Sequence, residues 1–337
     1  RGTTASQTAV IWNGINVNSL LNGSADFNTF TSSNFNTISV KAGGGSVSYG
    51  SGAIGGSVHL NNNLIFKNKF ENDLRLDYGS FNTINVNYKM NLSNQKWSTQ
   101  IGLSRNSSDN DYDYIDLYTW KGVQRKNENG QYATTSLSGN VGYKINPHEI
   151  LTFYSQFSNT DRNFSLVSES DSKTKYVNTF SRNLLEYSET EGRFNSNYKV
   201  AYLTEQYQYF ADIDSDYFTF GKSESFIAKM DFGYQLIESI KLNGIVDYNG
   251  TKGFGTSFGD NTRHIGAVAL KVVENTNPKW QNELGFRKEA SSDYDSPFLF
   301  SLGSSYAFTS FYNLKVNFSR NFRIPTFNDL YWEEGGN

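Results

Sequence analysis

Along residues 84 to 92 every second side chain is apolar: Ile84, Val86, Tyr88, Met90 and Leu92 alternate with Asn85, Asn87, Lys89 and Asn91. Side chains that repeat every two residues share one face of a β-strand, and a helix cannot sort them that way. The pattern keeps returning. Leu137, Val141, Tyr143 and Ile145 face away from Ser138, Asn140 and Lys144. Phe226, Ala228, Met230, Phe232, Tyr234 and Leu236 alternate with Lys229, Asp231 and Gln235. Ile240, Leu242, Val246 and Tyr248 oppose Lys241, Asn243 and Asp247, and Tyr312, Leu314, Val316 and Phe318 oppose Asn313, Lys315, Asn317 and Ser319. Weaker cases lie at 70 to 79, 96 to 106, 148 to 163, 177 to 189, 193 to 211, 263 to 275, 280 to 290 and 298 to 309. The sum is about thirteen long strands between residues 64 and 337, each with one apolar and one polar face.

The connectors sort these strands into an architecture. Short ones (Ser93-Asn94-Gln95, Asn146-Pro147, Ile237-Glu238-Ser239) alternate with longer polar ones at 107 to 131, 164 to 176 and 212 to 223, which implies one tight rim and one loopy rim. Long dyad-patterned strands between such rims are the signature of a transmembrane antiparallel β-barrel. Soluble sandwiches, propellers and solenoids use shorter strands, of about 5–6 residues on average. In lipid the wall must pair its own backbone groups and turn apolar side chains outward, which leaves Asn, Lys and Asp for the lumen. Trp97, Tyr143, Tyr234, Trp280, Tyr306 and Phe308 then suit two interfacial aromatic girdles. An odd, open set of strands leaves two unpaired edges, so further strands are expected to complete the wall.

Composition removes the competing classes. Aromatics make up 16% of the chain, against disorder as its main state. No run approaches the ~18 apolar residues of a spanning helix; the best, Ile265 to Val273, is short and carries Lys271. The absence of Cys excludes disulfide scaffolds, zinc ribbons and thiol catalysis. Lys+Arg of 30 against Asp+Glu of 33 gives a net charge of −3 and no large basic field for nucleic acid.

Residues 1 to 63 read as a small, separate globular element: short apolar runs divided by Gly, Ser and Asn turns, with Gly clustered at 43 to 45 and 50 to 56. The chain opens on Arg1-Gly2-Thr3 as if mid-domain. Gly50, Gly52 and Gly55 spell GxGxxG, but a strand-like Gly56 to Leu60 follows where a dinucleotide fold needs a helix. Gly255-Thr256-Ser257-Phe258-Gly259 spells GxSxG, again without a following helix, so Ser257 is not expected to be a nucleophile. His59, His148 and His264 stand apart from one another, and no catalytic set is expected.

Two stretches carry a family resemblance. RGTTASQTAVIWNGINVNSLLNGSADFNTF followed by NTISVKAGGGSVSYGSGAIGGSVHL resembles the C-terminal half of the plug of TonB-dependent outer-membrane receptors, most closely in Tyr49 to Gly56. NFRIPTFNDLYW, Asn321 to Trp332, resembles a segment past the middle of the barrel in the same family. The sequence departs from the family at Asn13, where Asp is common, and at Ala42 to Gly45, where Gly-Pro is usual. The resemblance implies an all-β chain: the C-terminal part of a plug domain over 1–63, and the N-terminal part of an outer-membrane barrel over 64–337, about 13 strands of an expected 22.

It also implies a function. A barrel that wide would leak unless plugged. The plug would bind a scarce nutrient on its outer side and be remodelled by TonB and its inner-membrane energising complex. The expected setting is the outer membrane of a Gram-negative bacterium, with lipid and lipopolysaccharide around the wall. A passive porin is disfavoured by the plug, and an enzyme by the missing catalytic set. The expected substrate site is the loop Leu20, Leu21, Asn22, Gly23, Ser24, Ala25 and Asp26, which resembles the ligand loop of vitamin B12 receptors. A large, amide-rich, uncharged corrinoid wants backbone donors and acceptors with apolar contact. The loop has no Arg or Lys for an anionic ferric siderophore; that class, with haem, is the alternative. No cofactor is expected to be required. Asp109, Asp111, Asp113 and Asp116 crowd one loop, and a structural calcium is expected there, since calcium takes six to eight such oxygens.

Overall fold

The computed structural model describes residues 2–116, 122–166 and 172–333. Strand β1 (Thr8–Trp12) turns through Asn13 and Gly14 into β2 (Ile15–Asn16). Both turn residues have positive φ, 46° and 87°, as a two-residue hairpin between right-twisted strands requires. Strand β3 (Thr37–Ala42) leads through one helical turn, α1 (Ser46–Tyr49), into β4 (Gly56–Asn61). The sheet order is β2-β1-β4-β3, with β1 and β4 parallel.

The long strands follow: β5 (Lys69–Gly79), β6 (Thr83–Ser93) and β7 (Trp97–Ser108), then a small hairpin of β8 (Asp113–Asp116) and β9 (Val123–Lys126). After it come β10 (Tyr132–Asn146), β11 (Glu149–Phe164), β12 (Thr174–Glu191), β13 (Phe194–Phe210), β14 (Thr219–Ile237) and β15 (Ile240–Gly255). The last are β16 (Gly259–Asn277), β17 (Trp280–Ser291), β18 (Leu299–Ala307) and β19 (Asn313–Arg320), followed by a helical turn, α2 (Phe327–Tyr331). All but β8 and β9 join one 13-stranded sheet in chain order, as the alternation predicts. The β8–β9 hairpin was not expected, because four charged-rich residues per strand are too few for a period to show.

The two faces separate as expected. On β11, Leu151, Phe153 and Phe157 are exposed on the outer face, while Thr152, Tyr154, Gln156 and Ser158 between them are buried. The inner face reaches the N-terminal element from β6, where Ser33 Oγ donates to Asn87 Oδ1 at 3.0 Å, round to β18, where Leu299 packs on Val47. One face can do this only if the sheet curls around the element. The expectation of a separate globular unit is therefore corrected. Val10, Trp12, Ile15, Val17, Phe35 and Leu60 form a single core with Tyr154, Leu184, Ala201 and Ile227 of the wall. A four-stranded sheet is too small to bury its apolar face alone and uses the wall for it.

At one rim the connectors are all short: 94–96, 147–148, 192–193, 238–239, 278–279 and 308–312. The other rim carries 109–131, 165–173, 211–218 and 292–298, with two short turns at 80–82 and 256–258. Trp97, Tyr143, Tyr234, Trp280, Tyr306 and Phe308 all lie at the short-turn rim, so they mark one girdle rather than two. Sequence shows that an aromatic is near a strand end but not which end is up. Strands β5 and β19 are the two ends of the sheet order and pair on one side only. Among the described residues no helix is long and apolar enough to cross a membrane, which says nothing of crossing by strands.

Candidate functional site

The loop Leu20–Asp26 lies at the rim of long connectors. Asn18 ties its base to β1: the Val10 amide donates to Asn18 Oδ1 at 2.7 Å, and Asn18 Nδ2 donates to the carbonyls of Thr8 and Gly23. Inside the loop Asn22 Oδ1 accepts from the Ser24 amide (3.0 Å) and hydroxyl (3.1 Å), an Asx turn that fixes the tip. Asn22 is exposed, and Leu20, Gly23, Ser24, Ala25 and Asp26 are half-buried. Leu21 differs from expectation. It is 0% exposed and packs on Phe258 and Phe327, so it anchors the loop instead of meeting a ligand. Asp26 caps the turn Phe27–Thr29 by accepting from the Asn28 amide, and its other oxygen accepts from Arg162 Nη2 at 3.2 Å.

The wall supplies a rim of rings and cations beside this loop. Tyr176 and Tyr207 stack at 5.6 Å, Phe164 meets Tyr176 edge-on, and Arg162 lies 5.4 Å over the Phe164 ring. Arg182 sits 3.9 Å from the Phe180 ring and 4.7 Å from Phe30, a desolvated cation held by quadrupoles. Behind the loop, a cavity of about 140 Å³ lies between parts of Gly14–Leu20 and β12 to β17; Glu205, Lys229, Asp247 and Arg287 are among the wall groups facing it.

Two further attachments hold the N-terminal element. At the tip of the β1–β2 hairpin, Lys199 Nζ donates to the Asn13 carbonyl and Lys229 Nζ to the Gly14 carbonyl, both at 3.1 Å. Their charges are met by Glu186 at 3.5 Å from Lys199 and Asp231 at 3.2 Å from Lys229. The second attachment is the segment after β19, which turns inward across the mouth. The amides of Phe327 and Asn328 donate to the carbonyls of Leu20 and Leu21 at 2.9 and 3.3 Å, and the Ile324 amide donates to Ser51 Oγ at 2.9 Å. Gly23 (φ +82°) lies so close under it that a Cβ there would sit 3.1 Å from Thr326 Cγ2.

Residues 1–57 match the family described as TonB-dependent Receptor Plug Domain. Over this segment the chain is similar to the plug of TonB-dependent receptors. It is 23% identical over 346 residues to the vitamin B12 transporter BtuB of Photobacterium profundum, covering 100% of this chain and 54% of that protein. The siderophore receptor PirA from Acinetobacter baumannii superposes with a TM-score of 0.78 at 14% identity, over 98% of this chain and 55% of its own. The FrpB iron transporter from Neisseria meningitidis (F3-3 variant) gives 0.78 at 13%, over 96% and 59%. These structural likenesses speak for the fold. The chain thus spans about half the length of the relatives it matches, and those relatives are named as transporters and receptors, not enzymes.

In the segment that matches the plug family, Gly50 and Gly52 (φ +74° and +79°) make the turn after α1, which explains the GxGxxG spelling without a nucleotide. Ser257 lies in the β15–β16 turn of the barrel. The three histidines stay apart: His59 is hydrogen-bonded to Ser57 in β4, His148 to the Thr190 carbonyl and His264 to Tyr248. Burial, and secondarily the Lys41 charge, hold His59 below the usual imidazole range.

The four acidic residues are not brought together. Asp111 pairs with Lys126 and Asp116 with Arg125 across the β8–β9 hairpin, and Asp109 accepts from Asn82. The hydrogen bond and charge of Lys126 hold Asp111 below the usual carboxylate range. Among the described residues no three His, Asp or Glu side chains converge to hold a metal ion. Two of the four carboxylates, Asp111 and Asp116, are thus paired with local cations. Arg162, Tyr207, Lys199 and Lys229 were missed as plug partners, because inward direction is visible in sequence but the facing plug residue is not. The turn α2 had a signal, Pro325 and then Thr326 three residues before Asp329.

Proposed function

We propose that residues 1–63 act as the C-terminal part of a plug and 64–337 as part of the wall of an outer-membrane receptor. It captures a scarce, large nutrient at loop Leu20–Asp26 and passes it inward with energy delivered through TonB. The nutrient proposed is a cobalamin or related corrinoid. The observation that carries this is the loop tip: Asn22 is exposed at its apex, on a loop whose own hydrogen bonds hold it in shape, while Leu21 and Asp26 anchor its flanks. A neutral ligand rich in amides is suited to a tip without net charge. The similarity to a vitamin B12 transporter over the whole chain supports the same reading.

A second reading has its own support. Arg162 beside the loop, with Phe164, Tyr176 and Tyr207, adds a cation and ring faces that suit an anionic iron chelate. Equilibrium binding of cyanocobalamin to the full-length receptor, with and without calcium, separates the two. Binding in the nanomolar to micromolar range is expected, and exchanging Asn22–Ala25 for a bulky charged segment removes it. No binding in either condition rejects the corrinoid and leaves the chelate reading, to be tested with a ferric catecholate. A calcium heat signal in the same preparation would restore a metal role for the Asp109–Asp116 loop.

A further inference from the structure

We propose that Asn321–Tyr331 is a strap that transmits the position of the barrel rim to the loop Leu20–Asp26, with Arg263 as the positioning residue at its anchor. The strap belongs to the barrel by chain but to the plug by contact. Its amides at Phe322, Ile324, Phe327 and Asn328 donate in turn to Ser46 Oγ, Ser51 Oγ, the Leu20 carbonyl and the Leu21 carbonyl. In return the Gly52 amide donates to the Phe322 carbonyl, and the Ser46 amide to Asn321 Oδ1. Phe327 is fully buried between Leu21 and Phe258, and Gly253 of β15 leaves the room: a Cβ there would stand 2.9 Å from the Phe327 ring.

Arg263 joins this strap to the rim. It projects inward from β16 and is 0% exposed. Its Nη1 donates to the Pro325 carbonyl at 2.7 Å, its Nε to Asp293 Oδ2 at 2.9 Å, and its guanidinium lies 4.7 Å over the Phe327 ring. Asp293, in the rim connector between β17 and β18, also accepts from the Tyr331 hydroxyl at 3.1 Å. One guanidinium thus ties a wall strand, a rim connector and both ends of the helical turn. A lysine could keep the charge pair but not the fork.

The joint is also incompletely satisfied. Among the described residues, Arg263 Nη2, the Tyr294 hydroxyl and Asn328 Oδ1 are buried with no hydrogen-bond partner. Undocking the strap would return these groups to solvent, which lowers the cost of opening. Moving the rim connector therefore moves Asp293, then Arg263 and Pro325, then the Leu20–Leu21 backbone.

The proposal rests on the reading of Leu20–Asp26 as the ligand loop, but its test needs no ligand. Residues 1–337 contain no Cys, so in the full-length receptor, with any Cys outside them replaced by Ser, a nitroxide on Asn22→Cys reports the loop tip alone. Arg263→Gln and, independently, Phe327→Ala should each shorten the label's rotational correlation time several-fold while circular dichroism shows the strand content kept. Arg263→Lys should fall between them and wild type. Lys89→Gln removes a plug contact of the same kind on another wall, the donation to the Ser33 carbonyl, and should leave the label unmoved. An unmoved label in both Arg263→Gln and Phe327→Ala overturns the strap, and so does equal loosening by Lys89→Gln. Failure of cyanocobalamin to bind wild type would reject the substrate and leave the label result standing.

Discussion

Val268 stands at the middle of β16 with its side chain 60% exposed on the outer face, beside the inward, buried Ala267 and Ala269. In lipid that face meets hydrocarbon, and Val268→Arg is expected to cost about 2–4 kcal/mol. Denaturant unfolding in bilayers measures it; a change no larger than that of Val268→Leu would reject the outward assignment. Such facing was legible in the sequence because it follows from parity alone. Parity does not give depth or partners, which is why Leu21 was read as a ligand contact when it is an anchor. His59 makes a second residue-level case. Burial favours its neutral form, so its folded pKa lies below 6.5. The stability this lends the plug is complete above about pH 6.5 and is lost as pH falls through the lower, folded value. Hydrogen exchange in β4 should accelerate over that window in wild type and not in His59→Gln; identical profiles would remove His59 as the cause.

Two short elements carry much of the plug's attachment. The β1–β2 hairpin needs positive φ at Gly14, and the Lys199 ammonium fills the place where a Cβ would go. Gly14→Ala is therefore expected to cost at least about 1–2 kcal/mol from the left-handed backbone alone, read as earlier proteolysis of the plug with the barrel intact. Unchanged protease resistance would mean that the hairpin tip is not held as described. In α2, Thr326 Oγ1 accepts from the Asp329 amide, and Asp329 Oδ2 accepts from the Thr326 amide and from Arg323. Thr326→Ala should lose about 1 kcal/mol of local stability, seen in exchange at Leu330. Burial raises the Asp329 pKa, but the Thr326 amide, Arg323 and the Thr326 hydroxyl outweigh it and hold the group low. The turn is thus fully capped above about pH 3.8 and uncaps as pH falls through the lower, folded value. The long strands were legible because each repeats its pattern many times. The hairpin grip and α2 depend on single residues whose partners lie 215 positions away in sequence for Lys229 and Gly14 and farther still for Phe327 and Leu20.

At the scale of the whole molecule, the 13-stranded sheet ends in β5 and β19, each with one side unpaired. In hydrocarbon every unpaired N–H or C=O costs several kcal/mol. Residues 1–337 alone are expected to associate edge to edge or fail to insert, whereas a chain with further strands should insert as a monomer; stable monomeric insertion of residues 1–337 would contradict the open wall. The plug inside that wall is not held evenly. Against β6 to β11 it is fastened by neutral contacts such as Ser33 to Asn87, Thr31 to Ser104 and Asn34 to Ser136, whereas β13 and β14 grip its hairpin tip with two ammonium groups, Lys199 and Lys229. The plug is thus bonded along both flanks, but by bonds of different kinds, and charge-assisted ones are the stronger. A pull from the inner side should therefore meet resistance on both flanks, and Lys199→Met should unclasp the hairpin tip while the neutral β6–β11 flank stays fastened.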